Sequence, residues 1–279
     1  MAVPMPPIAF VFSTGRTSTQ NIAALAKRSY PKASVEHEGL GPYYHSRRVF
    51  RNPEKFHQVL GAQVQIQRKL IGIEDGMAQG RSYLDAGWPA FGWLPYLSDR
   101  FGENFRFAHL VRNPFHTAAS LTTHGLFSQP TKVGRRFQRL SMIHAKDANT
   151  HHRSLQAYAA GFSPFDRNLF HWLELNQFLI EHHDRDGFVG LFRFEDLYTP
   201  HKHQITRMLP KLLGDADIDF KAKPVDQVQK KLPVEIGTAH PALSDAVMAL
   251  AERLGYSTEE LTTAQDPDAL NRTYAVARH

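Results

Sequence analysis

Ile8-Ala9-Phe10-Val11-Phe12-Ser13-Thr14-Gly15-Arg16-Thr17-Ser18-Thr19-Gln20-Asn21 is the stretch that decides the fold. A short apolar run passes directly into a loop of small hydroxylated residues with one glycine and one arginine, then into the helical pattern Ile22-Ala23-Ala24-Leu25-Ala26. It reads as a strand, a tight loop and a helix that runs to about Ser29. Unpaired backbone N–H groups and the positive end of the helix dipole converge at such a loop, which makes it an anion site. Arg16 adds a full charge, and Ser13, Thr14, Thr17, Ser18 and Thr19 add hydroxyl donors. The plainer reading is a first strand and a well-capped first helix, since Ser and Thr are common N-caps. Five hydroxyls around Gly15-Arg16 exceed what one cap uses, so phosphate binding is the expectation. On its own, the loop leaves ATP, GTP and sulfate donors level.

Working outward, 279 residues could form one large α/β domain or two small ones. The informative motifs run from residue 8 to residue 256 and converge on one site, so one domain is expected. A composition of 42% hydrophobic and 22% charged residues suits a sizeable globular core. The first seven residues lack the basic start and apolar stretch of a signal peptide. No apolar run approaches the roughly 20 residues of a membrane span. The absence of cysteine excludes disulfides, thiolate metal sites and a cysteine nucleophile, and it fits a cytoplasmic location. A formal charge of +6 points to anionic partners. The basic residues are scattered and no nucleic-acid module accompanies them, so a polyanionic small molecule is preferred to nucleic acid.

A second strand is read at Ala33-Ser34-Val35-Glu36-His37-Glu38, ending in two carboxylates around an imidazole before Gly39, Gly41 and Pro42 break the chain. Ligands of open α/β sheets bind at the carboxyl ends of strands, which places these groups for chemistry. Solvent-facing acids are the bland alternative. Arg47, Arg48 and Arg51 follow in a basic and aromatic segment that either contacts a phosphate or acceptor or forms a solvated face. Helical spacing over Pro53 to about Ile71 proposes Phe56, Leu60, Val64 and Leu70 as core. Arg81 to Gly87 reads as a third strand carrying Asp85, and Phe91 to Phe101 as a helix.

The other decisive stretch is Phe105-Arg106-Phe107-Ala108-His109-Leu110-Val111-Arg112-Asn113-Pro114, continuing to Ser120. An apolar strand ends at Arg112, Pro114 suits the first turn of a helix, and Ser120 lies about two turns into it. The planar fork of Arg112 and the short donor of Ser120 could grip one phosphate.

These two stretches resemble the sulfotransferases that use 3′-phosphoadenosine 5′-phosphosulfate (PAPS). In that family a strand-loop-helix binds the 5′-phosphosulfate. A later strand-Arg-(Asn/Asp)-Pro, with a Ser eight residues after the Arg, binds the 3′-phosphate. Phe192-Arg193-Phe194-Glu195-Asp196-Leu197 is similar to the family's strand ending in Tyr-Glu-Asp-Leu, and Leu254-Gly255-Tyr256 to its closing Leu-Gly-Tyr. The resemblance implies a three-layer α/β fold, a P-loop-NTPase-like sulfotransferase fold whose mostly parallel central sheet is flanked by helices. Thr14, Gly15, Arg16, Thr17, Ser18, Thr19, Arg112 and Ser120 would bind the nucleotide, and no metal is needed. Arg16 would serve the transfer itself. Carbohydrate and tyrosyl-protein members carry their catalytic glutamate in a place similar to Glu38, which lies 22 residues beyond Arg16. Glu38 is therefore the expected general base, with His37 next and Glu36 and Asp85 behind. The region from about residue 125 to 183 is expected to be helical and to face the acceptor, with Phe127, His144 or Trp172 near it, although Trp172 also reads as core.

The loop departs from the family at Thr17-Ser18-Thr19-Gln20, where relatives often carry Ser-Gly-Thr-Thr. The basic glycine-rich C-terminal segment of the cytosolic animal branch is not found, and Lys230, Lys231 or Arg272 are its candidate substitutes. His151-His152 and His182-His183 are read as surface pairs, with no metal-ligand spacing. Ser244 is read as the cap of a final helix ending at Leu254. The acceptor is a small molecule or carbohydrate in first expectation, with lipid, phenol and peptide open. A P-loop kinase would need a second glycine and a lysine in the loop, and the loop has neither. A binding protein of the same fold without catalysis, recognising nucleotide or RNA, is the remaining rival.

Overall fold

The computed structural model describes residues 5–39, 45–55, 63–128, 135, 138–199, 203–220 and 232–275. Five strands, β1 (Ile8–Ser13), β2 (Ser34–His37), β3 (Tyr83–Ala86), β4 (Phe105–Val111) and β5 (Phe188–Arg193), form one sheet in the order β2-β3-β1-β4-β5. Every pairing is parallel, so the sheet is wholly rather than mostly parallel. Parallel sheets are covered on both faces, and the period-2 alternation of β1 shows how. Ile8, Phe10 and Phe12 enter one core, with Phe105, Phe107 and Val111 of β4. Ala9 and Val11 enter the other, with Ala86, Ala108 and Leu110. The first face is thick and aromatic; Phe10, Phe12, Phe105 and Phe107 are fully buried, worth roughly 2 kcal/mol each. The second face is built of small residues and lets α1 (Thr19–Ser29) lie close to it.

The helices follow in chain order: α2 (Ser46–Arg51), α3 (Val64–Ala78), α4 (Leu94–Phe101), α5 (Pro114–Thr123) and α6 (Pro164–Ile180). After β5 come α7 (Ile205–Leu213), α8 (Pro241–Arg253), α9 (Thr258–Ala264) and α10 (Pro267–Tyr274). The expected three-layer α/β architecture is present, with α1 and α7 on the small-residue face and α4, α5, α6 and α8 on the aromatic one. Among the described residues no helix is long and apolar enough to cross a membrane.

Several boundaries differ from the sequence reading. The helix expected over 53–71 begins only at Val64, which is exposed, while Leu70 is buried as expected. Pro53–Lys55 is a separate 3₁₀ turn, and Phe56 and Leu60 lie outside the described residues. Ser244 is not a cap: α8 already starts at Pro241, the residue type that suits a first turn. Two further helices follow Tyr256, one opened by a capping box at Ser257 and one by Asp266. The stretch before α6 is a 3₁₀ run, Arg153–Gly161, and α6 starts with a capping box from Ser163 and Asp166.

Candidate nucleotide and transfer site

The loop after β1 sits where the strand order reverses, with β3 on one side and β4 on the other. Ligands of open parallel sheets bind there. Its backbone is strained in a repeated way: Gly15, Arg16 and Ser18 have φ of 82°, 58° and 64°. A non-glycine residue in this region costs roughly 1–2 kcal/mol, and such outliers gather at binding sites. Ser18 thus holds a conformation that glycine adopts without strain.

The capping explanation for the loop's hydroxyls fails. Ser18 precedes α1 in the left-handed conformation and makes no side-chain cap; its Oγ accepts instead from Asn21 Nδ2 at 2.9 Å. Ser13 Oγ accepts from Gly15 N–H at 3.2 Å and from Thr17 Oγ1 at 2.8 Å, which folds the loop on itself. Thr14 Oγ1 is buried with no hydrogen-bond partner among the described residues. A buried orphan hydroxyl costs about 1–3 kcal/mol, and a ligand oxygen would satisfy it. A helix start open to anions and an orphan donor beside it both suit a phosphate.

The second stretch closes onto the first. Arg112, just past β4, donates from Nη1 to the Arg16 carbonyl at 2.7 Å and from Nη2 to Tyr274 Oη at 2.9 Å. Its guanidinium lies over the Phe194 ring, 4.5 Å from the centroid. Arg16 Nε donates to Ser120 Oγ at 3.0 Å, and Trp172 Nε1 donates to the Arg112 carbonyl at 2.9 Å. Arg16 therefore meets Arg112 and Ser120, 96 and 104 residues further along the chain.

Sulfotransferases are among the solved structures that match. A sulfotransferase from Alicyclobacillus acidocaldarius matches over 98% of this chain and 100% of its own, at 13% identity and a TM-score of 0.48. The sulfotransferase domain of the Synechococcus olefin synthase matches over 92% of this chain and 98% of its own, at 15% identity and a TM-score of 0.49. Retinol dehydratase, in complex with androsterone and the inactive cofactor PAP, matches over 99% of this chain and 84% of its own, at 16% identity and a TM-score of 0.32. No family model and no curated protein sequence matches the chain.

The two later motifs are the frame of the Arg112 turn. Glu195 Oε1 accepts from Asn113 N–H at 2.9 Å, and its Oε2 accepts from Tyr256 Oη at 2.9 Å. Asn113 in turn caps α5, its side chain accepting from Phe115 N–H and His116 N–H. Tyr274, on α10, was missed by sequence reasoning, although Asp266 followed by Pro267 and the i, i+4 pair Leu270 and Tyr274 marked a helix there. Tyr274 also meets His116 Nδ1 at 3.2 Å. Arg272, a candidate phosphate ligand, instead lies 3.8 Å from Asp266 on the surface, and Lys230 and Lys231 lie outside the described residues.

The four candidate bases separate cleanly. Glu36 is held by Lys69 and by Tyr83 Oη. Asp85 is buried and accepts the Gly39 N–H with both oxygens, at 3.1 and 3.2 Å. His37 Nε2 pairs with Thr19 Oγ1 at 3.1 Å, and burial lowers its pKa. Glu38 has a φ of 54° and lies 3.8 Å from the His37 ring nitrogen. Burial, with the Asp85 carboxylate second, pushes it up from the ordinary 4.5 to about 7. Its position relative to the loop is fixed by one dipeptide: a Cβ on Gly87 would stand 2.8 Å from Glu38 Cγ, and a Cβ on Gly15 would stand 3.1 Å from the ring of Trp88. With β3 lying between β1 and β2, that places Glu38 about 10 Å across the sheet from the end of β1.

The histidine pairs lie at the surface as expected, His151 exposed and the other three half-buried, but their rings are engaged. His151 and His152 both grip Glu174, each through backbone N–H and Nδ1, at 2.8 to 3.1 Å. Burial alone would raise Glu174, but these bonds outweigh it and bring it down to about 2. His183 Nε2 lies 3.0 Å from His109 Nδ1 and stacks on Phe188. Trp172 is fully buried, and Phe127 lies edge-on to His144 with ring centroids 5.2 Å apart. Among the described residues no group of three or more His, Asp or Glu side chains could hold a metal ion.

Proposed function

We propose that the protein is a sulfotransferase, acting as one domain, that moves a sulfuryl group from PAPS to a hydroxyl or amine acceptor. The observation that carries the reading is the closure of Arg112 onto the Arg16 carbonyl, with Arg16 on Ser120. The open helix start after β1 and the arginine that follows β4 are thereby joined, as a donor with phosphates at both its 3′ and 5′ positions requires. The uncapped start of α1 and the orphaned hydroxyl of Thr14, with Arg16 beside them, receive the 5′ end. Arg112 and Ser120 hold the 3′-phosphate, with Tyr274 orienting the guanidinium.

In the transfer the acceptor oxygen or nitrogen bonds to sulfur, the bond from sulfur to the 5′-phosphate oxygen breaks, and adenosine 3′,5′-bisphosphate departs. Arg16 is placed to neutralise charge that grows on the departing phosphate, an interaction stronger in the transition state than before it. Glu38 takes the acceptor's proton. A base with a pKa near the operating pH combines availability with driving force, and Glu38 has that value because it is buried beside Asp85.

The test is a calorimetric titration without Mg²⁺. Adenosine 3′,5′-bisphosphate is expected to bind at least tenfold more tightly than ATP. Preference for ATP with Mg²⁺ would instead identify a kinase, and bisphosphate binding without sulfation of any acceptor in a broad panel would identify a nucleotide-binding protein.

A further inference from the structure

A cavity of about 1020 Å³ is lined by Arg47, Arg48, Arg51, Arg135, Arg139 and His144 among others. Five arginines are among its lining residues. Asp147 is the carboxylate that answers them, gripping Arg47 through two bonds of 2.7 Å and Arg51 at 3.3 Å. Asp147 is itself buried and also accepts the His144 N–H at 2.9 Å. Arg47 is thus locked in place, while no salt bridge among the described residues engages Arg48, Arg135 or Arg139. Arginine stays charged at any physiological pH and presents a planar fork to carboxylate, sulfate or phosphate. A cleft lined by one sign of charge focuses its field on an oppositely charged ligand.

The cavity is joined to the transfer site by a short chain of contacts. Trp88 touches Gly15, and its ring centroid lies 5.8 Å from that of His171. His171 Nδ1 accepts the Ile143 N–H at 3.0 Å, next to the cavity-lining His144. Ser46, which opens the helix bearing Arg47, Arg48 and Arg51, donates to the Pro89 carbonyl, one residue beyond Trp88. From the other side, Phe127 abuts His144 and follows α5, the helix that carries Ser120.

We propose that this cavity receives the acceptor, and that the acceptor is itself anionic: a small molecule or the end of an oligosaccharide carrying carboxylate, sulfate or phosphate groups beside the group to be sulfated. The volume is that of a small-molecule site rather than of a polymer groove. The proposal rests on the sulfotransferase reading of the adjoining loop.

Binding is measured by calorimetry in saturating adenosine 3′,5′-bisphosphate, with sucrose octasulfate as the sulfated-sugar probe, inositol hexakisphosphate as the phosphate probe and sucrose as the neutral control. The wild type is expected to bind at least one anionic probe and not sucrose, and the tighter of the two identifies the source of the charge. The Arg48→Glu, Arg139→Glu double variant, changed at exposed positions, is expected to lose at least tenfold in that affinity. Arg207→Glu, exposed on α7 at the small-residue face, is the control for a general field effect and is expected to change it less than twofold. Equal binding by wild type and double variant, or an equal loss in Arg207→Glu, overturns the proposal, as does sulfation of a neutral phenol with no anionic probe bound. Failure of the bisphosphate to bind, with the anionic probes still lost in the double variant, sinks the sulfotransferase reading and leaves an anion site.

Discussion

The helices α1 and α5 both start at the end of a central strand, yet their starts are built in opposite ways. The start of α5 is closed: Pro114 fills the first turn, Asn113 takes two N–H groups, and Asn113 N–H is bound by Glu195. The start of α1 is open: Ser18 provides no cap, two non-glycine residues are left-handed, and the Thr14 hydroxyl is orphaned. A helix start that is self-satisfied contributes to stability, whereas an unsatisfied one holds binding energy in reserve. The difference divides the labour between scaffold and ligand. Beyond the closed turn, Arg112 reaches across to brace the open one.

That division is most sharply tested at the brace. Arg112→Ala is expected to weaken adenosine 3′,5′-bisphosphate binding roughly 100-fold, the scale for truncating one partner of a part-buried charged contact. Arg112→Lys should recover little, because a point charge cannot reach both the Arg16 carbonyl and Tyr274 as a fork does. Unchanged affinity in Arg112→Ala with an intact circular-dichroism spectrum would mean that the two starts do not serve one ligand.

Glu38 extends the contrast to the open side, where function is held at the expense of stability. Its folded pKa of about 7 exceeds the ordinary 4.5, so folding favours the protonated form. The sign follows: its contribution is full below pH 4.5 and is lost as pH rises through about 7. Glu38→Gln is expected to abolish turnover, leave bisphosphate affinity intact and raise stability at pH 8 by about 1 to 3 kcal/mol relative to wild type. In the wild type kcat/KM should fall as pH drops below about 7, where the base takes up its proton. Full turnover in Glu38→Gln removes it as the base.

How legible this was in the sequence differed between the two sides. Strand ends, the loop and the Pro114 turn were readable because local rules write them: an apolar run, hydroxyl and glycine residues, a proline in a first turn. The sheet and the first helix follow from the same rules, and α1 ends at Ser29, where the helical pattern ran out. Contacts made across the chain were not readable. Nothing local to Tyr274 announces that its hydroxyl meets Arg112, and nothing in His151-His152 announces a buried glutamate 22 and 23 residues away. Glu36 and Glu38 look equivalent as a strand-end pair, but β2 ends at His37 and the left-handed backbone of Glu38 turns it away, so that Glu36 meets Lys69 and Tyr83 while Glu38 is left beside Gly87. Three of the five arginines around the cavity were visible as one cluster near α2. Asp147, which holds two of them, is nearly 100 residues further on.

The smallest expected effects bear directly on the two helix starts. Asn113→Ala removes a cap that takes two N–H groups, and a cap of this kind is worth about 1 kcal/mol. Its loss should lower Tm by a few degrees, with or without nucleotide, because the cap is a property of the folded chain. Ser18→Gly acts in the opposite direction: glycine accepts a φ of 64° without strain, so the ligand-free protein should gain up to about 1 kcal/mol. Ser18 makes no cap that would be lost with it. Paired melting curves with and without adenosine 3′,5′-bisphosphate measure both variants. An unchanged Tm in Asn113→Ala would mean that the second start is not held by its cap, and if Ser18→Gly lowers Tm by as much as Asn113→Ala does, then the first start depends on its side chain after all. The open turn would then be part of the scaffold rather than a surface kept free for phosphate.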